Sequence, residues 1–212
     1  MGTLGDLWSE IADDADDTTG EYATQIQRSV QAAIRFCERT TYYFNETRDI
    51  TFSTVADQQW YGESDEDDIP TLVHIQAAWV YVGGQAYRLT PSPPEELESL
   101  SDNSASTGQP RDYVYFNQQI RLYPIPDQAY TVRLQVGPYR LAAVSAETDT
   151  NAWTEEAFDM IKARAKYILY KDTIKDAALA AEALNDYNDQ HSEMTAETSK
   201  RNGTGKIRPT CF

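Results

Sequence analysis

The hydrophobic period of this chain changes twice, and those changes constrain its fold class more than any single motif does. In the N-terminal segment apolar residues recur every three to four positions, as on one face of a helix. From Arg48 the texture becomes short runs of aromatic and β-branched residues separated by turn chemistry, and from Asn151 the helical period returns. This pattern predicts an α+β protein. An α-helical bundle from N- and C-terminal helices carries an inserted small antiparallel β subdomain and ends in an extended C-terminal tail. The expected divisions are 1–47 for the N-terminal helices, 48–150 for the β subdomain, 151–198 for a C-terminal helical hairpin and 199–212 for a basic tail.

Within the helical parts, Tyr22, Ile26, Val30, Ala33, Ile34 and Cys37 fall on one face of a helix over 19–41, opened by a capping box of Thr18 and Glu21. Leu4, Leu7, Trp8 and Ile11 mark a short amphipathic helix before it. Ala157, Ile161, Ala165, Ile168 and Leu169 form a later stripe, with Trp153 and Phe158 at its start and Thr154 as cap. A break between Thr173 and Asp176 leads to a last helix carrying Ala180, Leu184, Tyr187, His191 and Met194, and so short a turn predicts antiparallel packing. In the β region, "DITFSTV", "QQWYGES", "TLVHIQAAWVYV", "QAYRLTP", "YVYFN", "QIRLYP" and "YTVRLQVGPY" read as strands. Gly83-Gly84 suits a two-residue hairpin turn, Asn117-Gln118 suits one less ideally, and "PSPPEELESL" reads as a short helix with Pro94 in its first turn. The final strand–turn–strand unit, 119–140, closes the insertion.

Charge removes several function classes. The formal net charge is −16, which opposes grip on nucleic acid through phosphate neutralisation. Acid is concentrated in "ADDADD" at 12–17 and "ESDEDD" at 63–68, read as solvated loops, whereas 199–212 holds Lys200, Arg201, Lys206 and Arg208 and no acidic side chain. An apolar share of 41% with 11% aromatics is enough to fold. No long apolar run and no basic leader point to a soluble protein made in the cytosol. Cys37 and Cys211 are read as free thiols, too few and too far apart for a metal cluster or a disulfide framework. Gly83-Gly84 is followed by no Lys-Ser/Thr, His74 and His191 lack metal-ligand spacing, and "SDEDD" lacks the glycine and distal glutamate of a calcium loop. Glu155 and Glu156 suit a helix start rather than acid/base work. The reading is therefore of no catalytic residue, no cofactor and no metal. The clusters "TYYFN" at 41–45 and "YVYF" at 113–116 are read as core or interface packing.

Four segments, taken in order, resemble the head-to-tail adaptor (connector) proteins of tailed bacteriophages over residues 20–198. They are "SVQAAIRFCERTTYYFNET", "YRLTPSPPEELESL", "GQPRDYVYFNQQIRLYPIPDQAYTVRLQVGPYR" and "NAWTEEAFDMIKARAKYILYKD". The resemblance implies a non-enzymatic virion protein of the neck, with about a dozen copies in a ring between portal protein and tail or nozzle protein. Genomic DNA would pass through the channel without specific binding, and no membrane is involved. It also implies a role for the basic tail, since family members often extend their C-terminal segments onto the portal. Lys200, Arg201, Lys206 and Arg208 would supply charge complementarity to portal or neighbouring subunit, while Ile207 and Phe212 fill apolar pockets. The alternative from another class is a carbohydrate-binding or tail-fibre-associated interaction module whose β-region aromatics stack on sugars. A carboxylate-based hydrolase is a third.

Overall fold

The computed structural model describes residues 2–62, 69, 71–103 and 106–203. The chain divides into two compact units, one made of residues 1–44 and 141–212, the other of residues 45–140.

In the first unit, α1 (Leu4–Asp14) opens with a reciprocal cap. Thr3 Oγ1 accepts from the Asp6 amide at 3.1 Å and the Asp6 carboxylate accepts from the Thr3 amide at 2.8 Å, which lowers the Asp6 pKa. The amides of Leu4 and Gly5 donate to the carbonyls of Asp149 and Glu147 at 3.0 and 2.9 Å. Glycine at position 5 suits that approach, because a Cβ there would stand 3.1 Å from the Glu147 oxygen, closer than an ordinary contact. Leu4, Leu7 and Ile11 are fully buried. The next helix, α2 (Ala23–Cys37), starts later than the period suggests, and the Thr18–Glu21 capping box does not form. The Asp17 carboxylate instead accepts from the amides of Glu21 and Tyr22, both at 2.8 Å. Asp17 precedes the tight turn at Gly20 (φ 73°), so its short side chain reaches amides that Thr18 does not.

After the second unit the chain returns through a short helix, α4 (Ala152–Glu155), numbered after α3 of the sheet. Its N-cap is Asn151, whose side chain accepts from the Trp153 amide, while the expected cap residue Thr154 returns the bond by accepting from the Asn151 amide. Helix α5 (Phe158–Leu169) packs against α1, α2 and α6 (Ala177–Asn202). The predicted break between α5 and α6 is a π-helical turn, Tyr170–Ile174, ended by Lys175 in the left-handed region (φ 61°). Asp176 then caps α6 by accepting from the amides of Ala178 and Leu179. Lys162 and Lys166 on α5 bridge to Asp14 on α1 at 3.1 and 2.9 Å. Arg164 lies in an aromatic box, its guanidinium 3.9 Å from the Phe36 ring centre, 4.9 Å from Tyr167 and 5.1 Å from Tyr187, so one cation ties α2, α5 and α6. Trp153 has no exposed surface and meets the rings of Phe44 and Tyr42 edge-on at 4.9 and 5.9 Å.

The second unit is one curled seven-stranded sheet: β1 (Thr47–Ser53), β2 (Trp60–Gly62), β3 (Ile75–Val82), β4 (Gln85–Pro91), β5 (Asp112–Phe116), β6 (Gln119–Tyr123) and β7 (Thr131–Val136). The spatial order is β1-β7-β3-β4-β5-β6-β2. The α+β class is borne out, but the sheet is mixed rather than antiparallel. Helix α3 (Pro94–Asn103) lies between β4 and β5 and acts as a crossover, so β5 joins β4 in the same direction through Thr90↔Asp112 and Pro91↔Tyr113. The two edge strands curl toward each other, Phe52 and Tyr61 meeting at 5.1 Å between ring centres. The Tyr61 hydroxyl donates to the Gln58 carbonyl at 2.7 Å and accepts from the Val55 amide at 3.1 Å, which satisfies a polar tip inside the core. Both predicted hairpin turns form with positive φ at each central residue, 56° and 81° at Gly83-Gly84 and 51° and 60° at Asn117-Gln118. Val80, Leu89, Ile120, Leu122, Val132 and Leu134 are the buried centre of the sheet.

Two stability outcomes follow from this packing. Trp153→Ala removes the buried ring that packs edge-on against Tyr42 and Phe44 and should destabilise the helical unit by roughly 3–5 kcal/mol. In a protein of this size that lowers the midpoint of helix melting, read by circular dichroism, by roughly 10 °C. Gln118→Gly relieves a side-chain-bearing residue held at φ 60°. After the entropic cost of glycine the net gain is about 0.5–1 kcal/mol, checked as a higher urea midpoint with an unchanged slope.

Candidate functional site

The residues singled out for partner binding are Lys200, Arg201, Lys206, Ile207, Arg208 and Phe212. Lys206, Ile207, Arg208 and Phe212 lie outside the described residues. Lys200 and Arg201 are not in an extended segment. Helix α6 runs through Asn202 and ends at Gly203, so the last helical turn overlaps the start assigned to the tail. Lysine and arginine are good helix formers that also suit a helix C-terminus, and Arg201 pairs with Glu197 one turn earlier at 2.5 Å.

The end of α6 is held by a compact polar and aromatic cluster. The Arg201 guanidinium lies 3.7 Å from the centre of the Tyr43 ring. The Tyr43 hydroxyl donates to Glu156 Oε2 at 2.6 Å, and the Tyr43 amide donates to Thr198 Oγ1 at 3.3 Å. Desolvation first, and then the hydrogen bond to the Glu156 carboxylate, push the Tyr43 phenol up to about 12. Tyr43 is therefore a neutral donor at physiological pH. Through it, α6 is fixed to the segment after α2 and to the residue following α4. Lys200, by contrast, is exposed. Of the basic residues described in this region, one is committed to contacts within its own chain and the other faces solvent.

Sequence reasoning missed Tyr43, Glu156 and Thr198 as members of this cluster, because Tyr43 and Thr198 stand 155 positions apart and no local pattern couples them. The rest of "TYYFN" is core: Tyr42 is fully buried, stacks on Phe44 at 5.5 Å and touches the ring of His191 at 6.0 Å. His191 also meets Tyr187 at 5.7 Å, so it packs among aromatic rings. In "YVYF", Tyr113 and Val114 are buried, the Tyr115 hydroxyl donates to the Leu72 carbonyl at 2.8 Å, and Phe116 is 59% exposed beside the Asn117-Gln118 turn. Two tryptophans of the sheet already carry arginines over their rings, Arg121 at 5.3 Å from Trp60 and Arg133 at 4.9 Å from Trp79. Those stacks occupy ring surface that a sugar platform needs.

Among the described residues no group of three or more His, Cys, Asp or Glu side chains is placed to hold a metal ion. None of the described helices is long and apolar enough to cross a membrane. A second concave feature runs beside α1. Asp6, Trp8, Ala12, Asp17, Ile26 and Glu147 are among the residues lining a cavity of about 560 Å³, and Asp6 and Ser9 continue into a smaller one of about 350 Å³ that ends at Gly2, Glu10 and Phe158.

No curated protein matches the chain. The model of the SU10 adaptor protein family matches residues 2–209, which takes in both structural units and all thirteen helices and strands named above. Matched over nearly its whole length, and resembling phage head-to-tail adaptors in the order of its segments, the chain belongs to the SU10 adaptor protein family.

Proposed function

We propose that this protein is a structural head-to-tail adaptor of a tailed phage, located in the virion neck, where copies form a ring that joins portal protein to tail or nozzle protein around the DNA channel. The family match carries the reading. Its mechanism is assembly. No catalytic step is assigned to any residue, and the acidic body, with a net charge of −16, lets DNA pass without electrostatic capture.

The fixed end of α6 gives this reading a mechanical element. Because Arg201 is pinned to Tyr43 and Glu197, the chain after Gly203 leaves the subunit from a defined point. Lys200 at the exit, with Lys206, Ile207, Arg208 and Phe212 beyond it, forms the arm that engages the portal or a neighbouring subunit. Arginine and lysine provide attraction at the rim, and the two apolar side chains set the register in pockets. Arg201 acts in this scheme by holding the root of the arm.

Two measurements check the proposal. A chain ending at Gly203 keeps the Tyr43–Arg201 cluster, so it should stay folded, as read by circular dichroism, while its capture by immobilised portal protein is lost. Capture at undiminished yield would remove the arm from the mechanism. In the absence of portal, like-charge repulsion should keep the full chain monomeric at roughly micromolar concentration, as read by light scattering after size exclusion. Addition of portal should give capped rings in electron-microscopy class averages, and a stable ring formed without portal would contradict template-driven assembly.

A further inference from the structure

The groove along α1 is built to hold something of a definite chemistry. Its floor includes Trp8, Ala12 and Ile26, and its margin carries Asp6, Asp17 and Glu147. The Asp6 carboxylate accepts from the Thr3 amide, and that of Asp17 from the amides of Glu21 and Tyr22. The Trp8 ring is part of the lining of this groove. The fitting occupant is a short extended segment with basic and apolar side chains and no acid.

The chain carries such a segment, and the fold starts it nearby. Residues 204–212, "TGKIRPTCF", contain Lys206, Ile207, Arg208 and Phe212. They follow Gly203, two residues beyond the Arg201 that sits on Tyr43. Tyr43 is hydrogen-bonded to Glu156, and Phe158, two positions further, is the wall of the smaller end of the groove. Gly2 lies so close to that wall that a Cβ on it would stand 2.5 Å from the Phe158 ring. Nine extended residues reach roughly 30 Å, and the contacts just named mark a route from the end of α6 past Phe158 to α1.

We propose that, in the unassembled protein, residues 204–212 dock in the α1 groove of their own molecule. Lys206 and Arg208 face Asp6, Asp17 and Glu147, and Ile207 and Phe212 cover the apolar floor beside Trp8. The docking stands without the adaptor reading. Its consequence rests on that reading: the arm is parked on its own subunit until a competing surface takes it, which limits premature association.

The full chain carries its own reporter position. Cys211 lies in the tail, whereas Cys37 is buried and burial raises its thiol pKa to about 11, so a spin label reacts selectively at Cys211. In a nitrogen-15-labelled sample, the label should more than halve the Trp8 indole and Ser9 amide signals relative to the reduced, diamagnetic state. That loss should persist unchanged on dilution and be reversed by the double substitution Lys206→Glu and Arg208→Glu. Unbroadened Trp8 and Ser9 signals would overturn the proposal, as would broadening that survives the charge reversal. Broadening that disappears on dilution would overturn it in favour of docking on a second copy. None of these outcomes bears on portal capture, which the pull-down reads separately.

Discussion

The packing of Trp153 edge-on against the stacked pair Tyr42 and Phe44 is the contact on which the helical unit turns. It joins the last residues before the sheet to the first helix after it, so two stretches separated by the whole of residues 45–140 become one core. Closing a flexible loop of that length would oppose folding by roughly 4 kcal/mol. The sheet removes most of that cost through its own register. Strands β1 and β7 pair antiparallel, with Thr47 opposite Val136, and the Tyr139 amide donates to the Asn45 carbonyl at 3.0 Å. Once those strands pair, the two ends of the insertion lie side by side. The 119–140 stretch, which reads as a strand–turn–strand hairpin, is not one: β6 pairs with β5 and β2, while β7 pairs with β1 and β3, and it is β7 that brings the chain back to helix.

The cluster at the end of α6 and the groove along α1 use the same few interactions in different ways. At Tyr43 a phenol donates to one carboxylate while its ring carries a guanidinium paired with another, so two acids and one base share one aromatic surface. In a chain with 34 acidic and 18 basic side chains, arginine is a scarce partner, and the rings stretch its use. Arg164 shows this most fully, held by three rings. Arg121 and Arg133 repeat the device on the sheet. Abundant tyrosine and tryptophan thus serve first to seat arginines within each unit, before any external interface is considered.

Much of this architecture was legible because period alone separates helix from strand. Each strand overlaps a run that alternation and turn chemistry marked, β1 and β5 beginning before theirs, and the two hairpin turns fall at the expected dipeptides. What failed to show depended on direction, competition or distance. Strand direction at β4 and β5 follows from the crossover through α3, which composition does not encode. No side chain caps α2; the Asp17 carboxylate instead holds the amides of Glu21 and Tyr22 in the turn before it. The helical state of Lys200 and Arg201 was obscured by the glycines and proline that follow, although Glu197 one turn back was a visible local partner. The Tyr43–Thr198 bond had no signal in the sequence at all.

The zipped stem formed by β1 and β7 has a consequence for how such a chain diversifies. Since the insertion enters and leaves through neighbouring strands, the helical core meets it as two adjacent chain ends, whatever lies between them. Strands, the α3 crossover and the loops can be lengthened, shortened or replaced behind that stem while Tyr42, Phe44 and Trp153 keep their places. The sheet is in this sense a cartridge, free to change with its partners at a rate of its own while the helices that hold it stay the same.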